Sequence, residues 1–199
     1  VLVRRLVGIE TAGNLNVLLT DKTGTLTKGK LEVTNIIDST GKIINNSTKL
    51  TNENLLNSLL YNNESMIDQD NNVIGGNSTD KALLKFIGNQ KKQYKKIEKI
   101  EFNSELKYSA VMINDSKKSC YFKGASEKIL PYCTKYIDSE GKLRILLEKE
   151  KIESNIKRYT KNGSRVVVLA YKENDLKLNA LTYLGFVCIK DELRSETKE

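Results

Sequence analysis

The sequence has no histidine, one proline and three cysteines in 199 residues. Without an imidazole there can be no Ser/His/Asp triad, no Cys/His dyad and no His-containing zinc site. Carboxylate, hydroxyl and lysine chemistry is what is left. The cysteines, Cys120, Cys133 and Cys188, are odd in number and form no Cys-x-x-Cys pair. They read as small buried thiols in a reducing compartment. No apolar run approaches the roughly 18 residues needed to cross a bilayer, and a stretch such as Val166 to Ala170 is among the longest. These residues are therefore expected to be soluble. The opening VLVRRLVGIE has no Met and is too charged and brief for a secretory signal, so it reads as a cut from a longer chain.

What is present fits one sizeable core, at 39% hydrophobic residues. The net charge of +8 is dispersed, with lysines interleaved among Asp, Glu and Asn except in KKQYKKIEKIE at 91–101. That pattern suits a solvated face, and no nucleic-acid motif accompanies it. NVLLT (16–20) reads as a buried parallel strand that delivers Asp21 at its carboxyl end. LEVTNII (31–37) alternates as a strand, and Gly41 marks a turn. Leu55, Leu56, Leu59 and Leu60 form a helical stripe over 52–62. A loop rich in Asn, Asp and Gly (68–77) precedes a second helix, with Ser78 or Thr79 as its N-cap. IEKIEF, YSAVMI and SCYFK read as strands, the last two joined by a hairpin turn at 114–118. ASEKIL is a short helix ended by Pro131, and EKEKIESNIKRYTKNG is a longer one ending on Gly163. RVVVLAY and LTYLGFVCI are the final strands.

A strand-end carboxylate in a loop of Lys, Thr and Gly suits a phosphate-handling nucleophile. The run DKTGTLT (21–27) closely resembles the phosphorylation signature of P-type ATPases. The resemblance makes Asp21 the residue that takes the γ-phosphate of ATP. It places Lys22 and Thr23 along the phosphate site, gives the Thr23 carbonyl and Asp21 to Mg2+, and sets Thr25 on the phosphoryl oxygens.

Further segments extend the likeness over nearly the whole chain. GNSTDKALL (76–84) is similar to the GNPTExALL segment of type II pumps, which puts Asp80 where an acid contacts adenine. Read alone, Asp80 is a first-turn acid favourable to a helix dipole. EFNSELKYSAV (101–111) resembles PFNSxRKxMSV, making Phe102 the ring that stacks on adenine and Lys107 a nucleotide-contacting base. A Phe in a strand pattern is by default a core residue. FKGASEKIL (122–130) resembles KGAPExIL with Ser126 in place of Pro. Lys123 then reaches the nucleotide, and Gly124 lets its backbone approach closely. GSRVVVLAY matches GxRVLALAY, with Arg165 as a phosphate contact. LGFVCIKDELRSE resembles the return into the phosphorylation domain. It keeps Asp191 and Arg194 as hinge residues but has Glu192 and Leu193 where two prolines are usual.

The resemblance implies an α/β chain: an α+β nucleotide-binding domain with an antiparallel sheet flanked by helices at 31–190. Partial Rossmann-like, HAD-type phosphorylation-domain stubs are implied at 1–30 and 191–199. It also implies ATP and Mg2+ as cofactors, a transported cation with calcium favoured, and a cytoplasmic location in a multi-pass membrane protein. The other partners are the actuator, the rest of the phosphorylation domain and the transmembrane parts. The GDGxND and TGES motifs of the family do not occur here. The 199 residues are accordingly expected to bind nucleotide without turning it over.

Three alternatives stand beside this reading. A P-loop is suggested by Gly24 to Lys30, GxxxxGK, although Leu31 replaces the needed Ser or Thr. A HAD-type aspartyl phosphatase would use a second Asp where Thr23 stands. A non-catalytic nucleotide-binding or docking module is the third.

Overall fold

The computed structural model describes residues 25–90 and 93–193. The expected strand 16–20 and the residues Asp21, Lys22, Thr23 and Arg194 lie outside them. Internal contacts divide the chain into two units, residues 1–30 with 191–199, and residues 31–190. Within the first, Thr25 is exposed and Thr27 Oγ1 donates to Asp191 Oδ2 at 2.6 Å.

The second unit is built on one antiparallel-dominated sheet, which is the expected fold class. The elements of the described residues are β1 (Thr27–Asp38), β2 (Ile43–Ile44), α1 (Glu53–Tyr61), β3 (Ser65–Ile67), β4 (Val73–Gly75) and α2 (Ser78–Ile87). They continue with β5 (Lys96–Ile100), β6 (Tyr108–Ile113), β7 (Ser119–Gly124), α3 (Ser126–Ile129), β8 (Cys133–Ile137) and β9 (Leu143–Ile145). The last are α4 (Lys149–Lys161), β10 (Arg165–Glu173) and β11 (Leu181–Leu193). The strand order is β2-β1-β11-β10-β7-β6-β5, with β8 pairing β11 in parallel and carrying β9 at its edge. β3 and β4 form a separate hairpin where the sequence suggested only a loop.

Strand alternation puts the core on both faces. On β10, Val167, Leu169 and Tyr171 join one cluster with the leucines of α1 and α2, while Val168 and Ala170 join the other with Phe186. α4 packs on that second face through Ile152, Ile156 and Tyr159, the stripe visible in the sequence. All three cysteines are buried in this second cluster, and burial pushes the Cys120 and Cys133 thiols up to about 12. The alternation slips once. Tyr183 and Phe186 both face the second cluster, and Leu184, which faces the first, is passed over in the pairing with β10 as the extra residue of a bulge, whereas its neighbour Gly185 pairs with Leu169. The φ of 136° at Gly185 and the carbonyl of Ile37, 2.2 Å from where a Cβ would stand, leave room only for glycine.

Four hairpins share one turn chemistry. Each begins with an aspartate, Asp38, Asp68, Asp115 or Asp138, whose Oδ1 accepts the N–H groups two and four residues on. The fourth residue of each turn is left-handed: Gly41, Asn71, Lys118 and Gly141. Lys118, at φ 49°, is the misfit, since that conformation disfavours a side chain by about 1–2 kcal/mol. Lys118→Gly is therefore expected to stabilise the chain by about 0.5–1 kcal/mol, net of the freedom glycine gains when unfolded. A urea midpoint that did not rise would contradict this.

Candidate nucleotide site

A cavity of about 780 Å³ opens within the second unit, between the α1–β3 connection, the start of α2, and the edges of β5, β6, β7 and β10. Local sequence builds each wall. Asn77, not Ser78 or Thr79, caps α2, its Oδ1 accepting the Asp80 N–H at 3.0 Å. Glycine at 76, with φ 59°, lets the chain pass Ser65 so closely that a Cβ there would lie 2.3 Å from its hydroxyl. Asp80 thus enters the first turn of α2 with its side chain turned inward.

The floor is a buried ion pair. Lys123 on β7 is 6% exposed and Asp80 3%. The Lys123 ammonium contacts Asp80 Oδ1 and donates to the Asn62 carbonyl at 2.5 Å, while Asp80 Oδ2 accepts the Glu64 N–H at 3.2 Å. Burial pushes the lysine pKa down, and the charge and hydrogen bond of Asp80 oppose that push. At the rim, burial alone would raise Glu64, but its hydrogen bond with Lys96 and the charges of Lys96, Lys99 and Lys123 hold the carboxyl below its ordinary value.

Phe102 stands just beyond β5 and is 56% exposed, unlike a core phenylalanine. Its loop is fixed by Asn103, whose Oδ1 accepts the N–H groups of Glu105 and Leu106 and whose carbonyl accepts that of Lys107. Lys107 itself is left-handed at φ 56°, and its ammonium lies 3.4 Å from Glu127. Arg165 opens β10, exposed, with Nη1 3.3 Å from Thr79 Oγ1.

All six residues singled out around the nucleotide, Asp80, Phe102, Lys107, Lys123, Gly124 and Arg165, line this one cavity. Sequence reasoning missed Asn62, Glu64 and Ser109, which line it too. The only signal for Asn62 is the polar pair Asn62-Asn63 directly behind a leucine stripe. The arrangement suits a flat apolar ring with an anionic tail. Ile100, Ala110, Val166 and Val167 supply aliphatic wall, the ion pair supplies polar contacts of nearly balanced charge, and exposed cations ring the mouth. Among the described residues no cluster of Cys, Asp and Glu could hold a metal. The two residues assigned to Mg2+, Asp21 and Thr23, lie outside them.

Residues 47–196 match the family model for the P-type ATPase cytoplasmic domain N. The chain belongs to this family. The chain is also 32% identical over 227 residues to a plasma-membrane-type calcium-transporting ATPase 7 of Oryza sativa, an alignment covering 99% of this chain and 22% of that protein. Calcium-transporting ATPase 1 of Saccharomyces cerevisiae is 32% identical, with 99% of this chain and 25% of that protein covered. Calcium-transporting ATPase type 2C member 1 of Pongo abelii is 31% identical over all of this chain and 24% of its own length. The chain thus spans about a quarter of these relatives. No helix among the described residues is long and apolar enough to cross a membrane.

Proposed function

We propose that this chain is the ATP-binding part of a cation pump that couples ATP hydrolysis, through an aspartyl phosphate at Asp21, to the transport of calcium across a membrane. Calcium is favoured by the names of the relatives, and the pump by the family. The observation that carries nucleotide binding is the convergence on one cavity of six side-chain or backbone positions far apart in sequence. Adenine stacks on Phe102 above the Asp80–Lys123 floor, and the phosphates run toward Lys107 and Arg165. Mg2+ accompanies ATP, with Asp21 and the Thr23 carbonyl holding part of its shell. Residues 1–30 and 191–199 are the two ends of the phosphorylation domain, with Asp191 and Arg194 at the hinge that lets the bound nucleotide approach Asp21.

Transfer of the phosphoryl group to Asp21 depends on positioning and charge stabilisation, and the GDGxND motif does not occur in these residues. Binding without turnover is the expected behaviour of these 199 residues. NMR titration with ATP tests it: saturable shifts are expected at Phe102 and Lys123, and Phe102→Ala should weaken binding by about ten-fold, from lost stacking of about 1–3 kcal/mol. Absence of shifts at those residues at millimolar ATP would sink the reading. Phosphorylation is a separate measurement: acid-stable label from γ-labelled ATP, abolished by Asp21→Asn, would show that the chain turns over after all.

A further inference from the structure

Asn62 ends α1 and is buried. Its side chain has no slack. Nδ2 donates to the carbonyls of Ser109 on β6 and Tyr121 on β7, both at 3.0 Å, and Oδ1 accepts the Ser109 hydroxyl at 2.9 Å. Its own carbonyl, one of those left unsatisfied at a helix C-terminus, accepts Lys123. The partial negative charge of that terminus favours the ammonium. Lys123 has three N–H donors, of which Asn62 and Asp80 take two. The third is left for the cavity that Lys123 lines.

We infer that Asn62 is a positioning residue of the cavity: by clamping the end of α1 onto β6 and β7 it sets where the Lys123 ammonium stands and where its free donor points. The inference rests on the nucleotide reading above for the ligand, but not for the clamp. Removing the amide frees the helix end, and the carbonyl that orients Lys123 moves with it. The ligand then meets a Lys123 donor that is present but misplaced, which weakens binding.

A double-mutant cycle with ATP on the full 199-residue chain tests this, paired with 15N NMR of the Lys123 side-chain ammonium. Asn62→Ala is expected to shift or broaden the Lys123 Nζ signal and to weaken ATP about ten-fold, a loss of one buried polar contact's order. In a Lys123→Met background the same substitution should change ATP affinity less than two-fold, because a residue that acts through Lys123 has nothing left to act on. Ser109→Ala removes one brace while sparing Asn62, and should move the Nζ signal in the same direction by less. It decides the matter if Asn62→Ala does not fold. An unmoved Nζ signal in the folded variants overturns the clamp, as does an equal affinity loss with and without Lys123. If the parent chain fails to bind ATP while the Nζ signal responds, the nucleotide reading fails and the clamp stands.

Discussion

Replacing Lys123 by methionine is expected to destabilise the domain by about 3–5 kcal/mol, because it strands a carboxylate, Asp80, that is 3% exposed. Asp80→Asn strands the ammonium instead, with the Asn62 carbonyl as its other partner. Removing both charges together, as Asp80→Leu with Lys123→Met, should recover most of either loss, since the largest penalty belongs to an unpaired buried charge. ATP binding is not expected to return with the stability, because the floor then has neither donor nor acceptor. Urea denaturation and ATP titration on the three variants separate the two effects. A double variant no more stable than Lys123→Met alone would show that the stranded carboxylate is not what destabilises that variant.

The loss from Asp80→Asn carries a definite pH sign. Burial already holds Lys123 below 10.5, the value of a lysine in an unfolded chain, and Asp80 is what opposes it. Without Asp80 the folded state binds that proton more weakly still. Between the folded and unfolded values the unfolded chain holds more protons, so stability rises with pH across that window. The deficit of Asp80→Asn against the parent chain should shrink as the pH rises toward 10.5. A constant deficit would show that the ammonium keeps its proton by another route.

The elements legible in the sequence are those that bury an apolar stripe or an apolar run. The leucine stripe gives α1, β6 and β7 are buried along nearly their whole length on either side of the turn at Asp115, and Ile152, Ile156 and Tyr159 give α4. The hairpins β3–β4 and β8–β9 escape because they have little to hide. Met66, Ile74, Leu143 and Ile145 are exposed, so no apolar pattern marks those strands as half-buried. The bulge at Leu184 also breaks the period in the middle of a strand that otherwise reads plainly.

Site residues were legible in a different way. Composition and spacing alone made Phe102 a core residue and Asp80 a first-turn acid; only the family resemblance gathered them around a nucleotide. The structure adds to both readings. Asp80 does sit in the first turn of α2, yet its carboxylate serves Lys123 rather than the helix dipole alone. Phe102 lies beyond the strand, exposed at a cavity. The clamp at Asn62 was invisible because its partners on β6 and β7 come from 47 and 59 residues away, and one of them offers only its backbone carbonyl.

Gly124→Val should damage fold and site together. Gly124 pairs with Tyr108 across β6 and β7, and an added Cβ would meet Tyr108 Cβ at 2.5 Å, the Lys107 carbonyl at 2.6 Å and Tyr108 Cα at 2.7 Å. Two of those three atoms are backbone, so no rotamer change relieves the contact. The strands must part, at about 3 kcal/mol for overpacking of this kind. Parting them strains the hydrogen bond from the Ala125 N–H to the Lys107 carbonyl at 2.9 Å. Lys107 closes the loop that carries Phe102, and Lys123 precedes the glycine, so the Phe102 ring and the buried ammonium move apart from opposite sides. ATP affinity is expected to fall by at least about ten-fold, and Gly124→Ala should lose affinity too, since its Cβ already meets the same three atoms. Calorimetric titration of both variants, with thermal unfolding alongside, reads the two losses. Wild-type affinity in a folded Gly124→Val chain would show that the close approach of these strands is not what shapes the cavity.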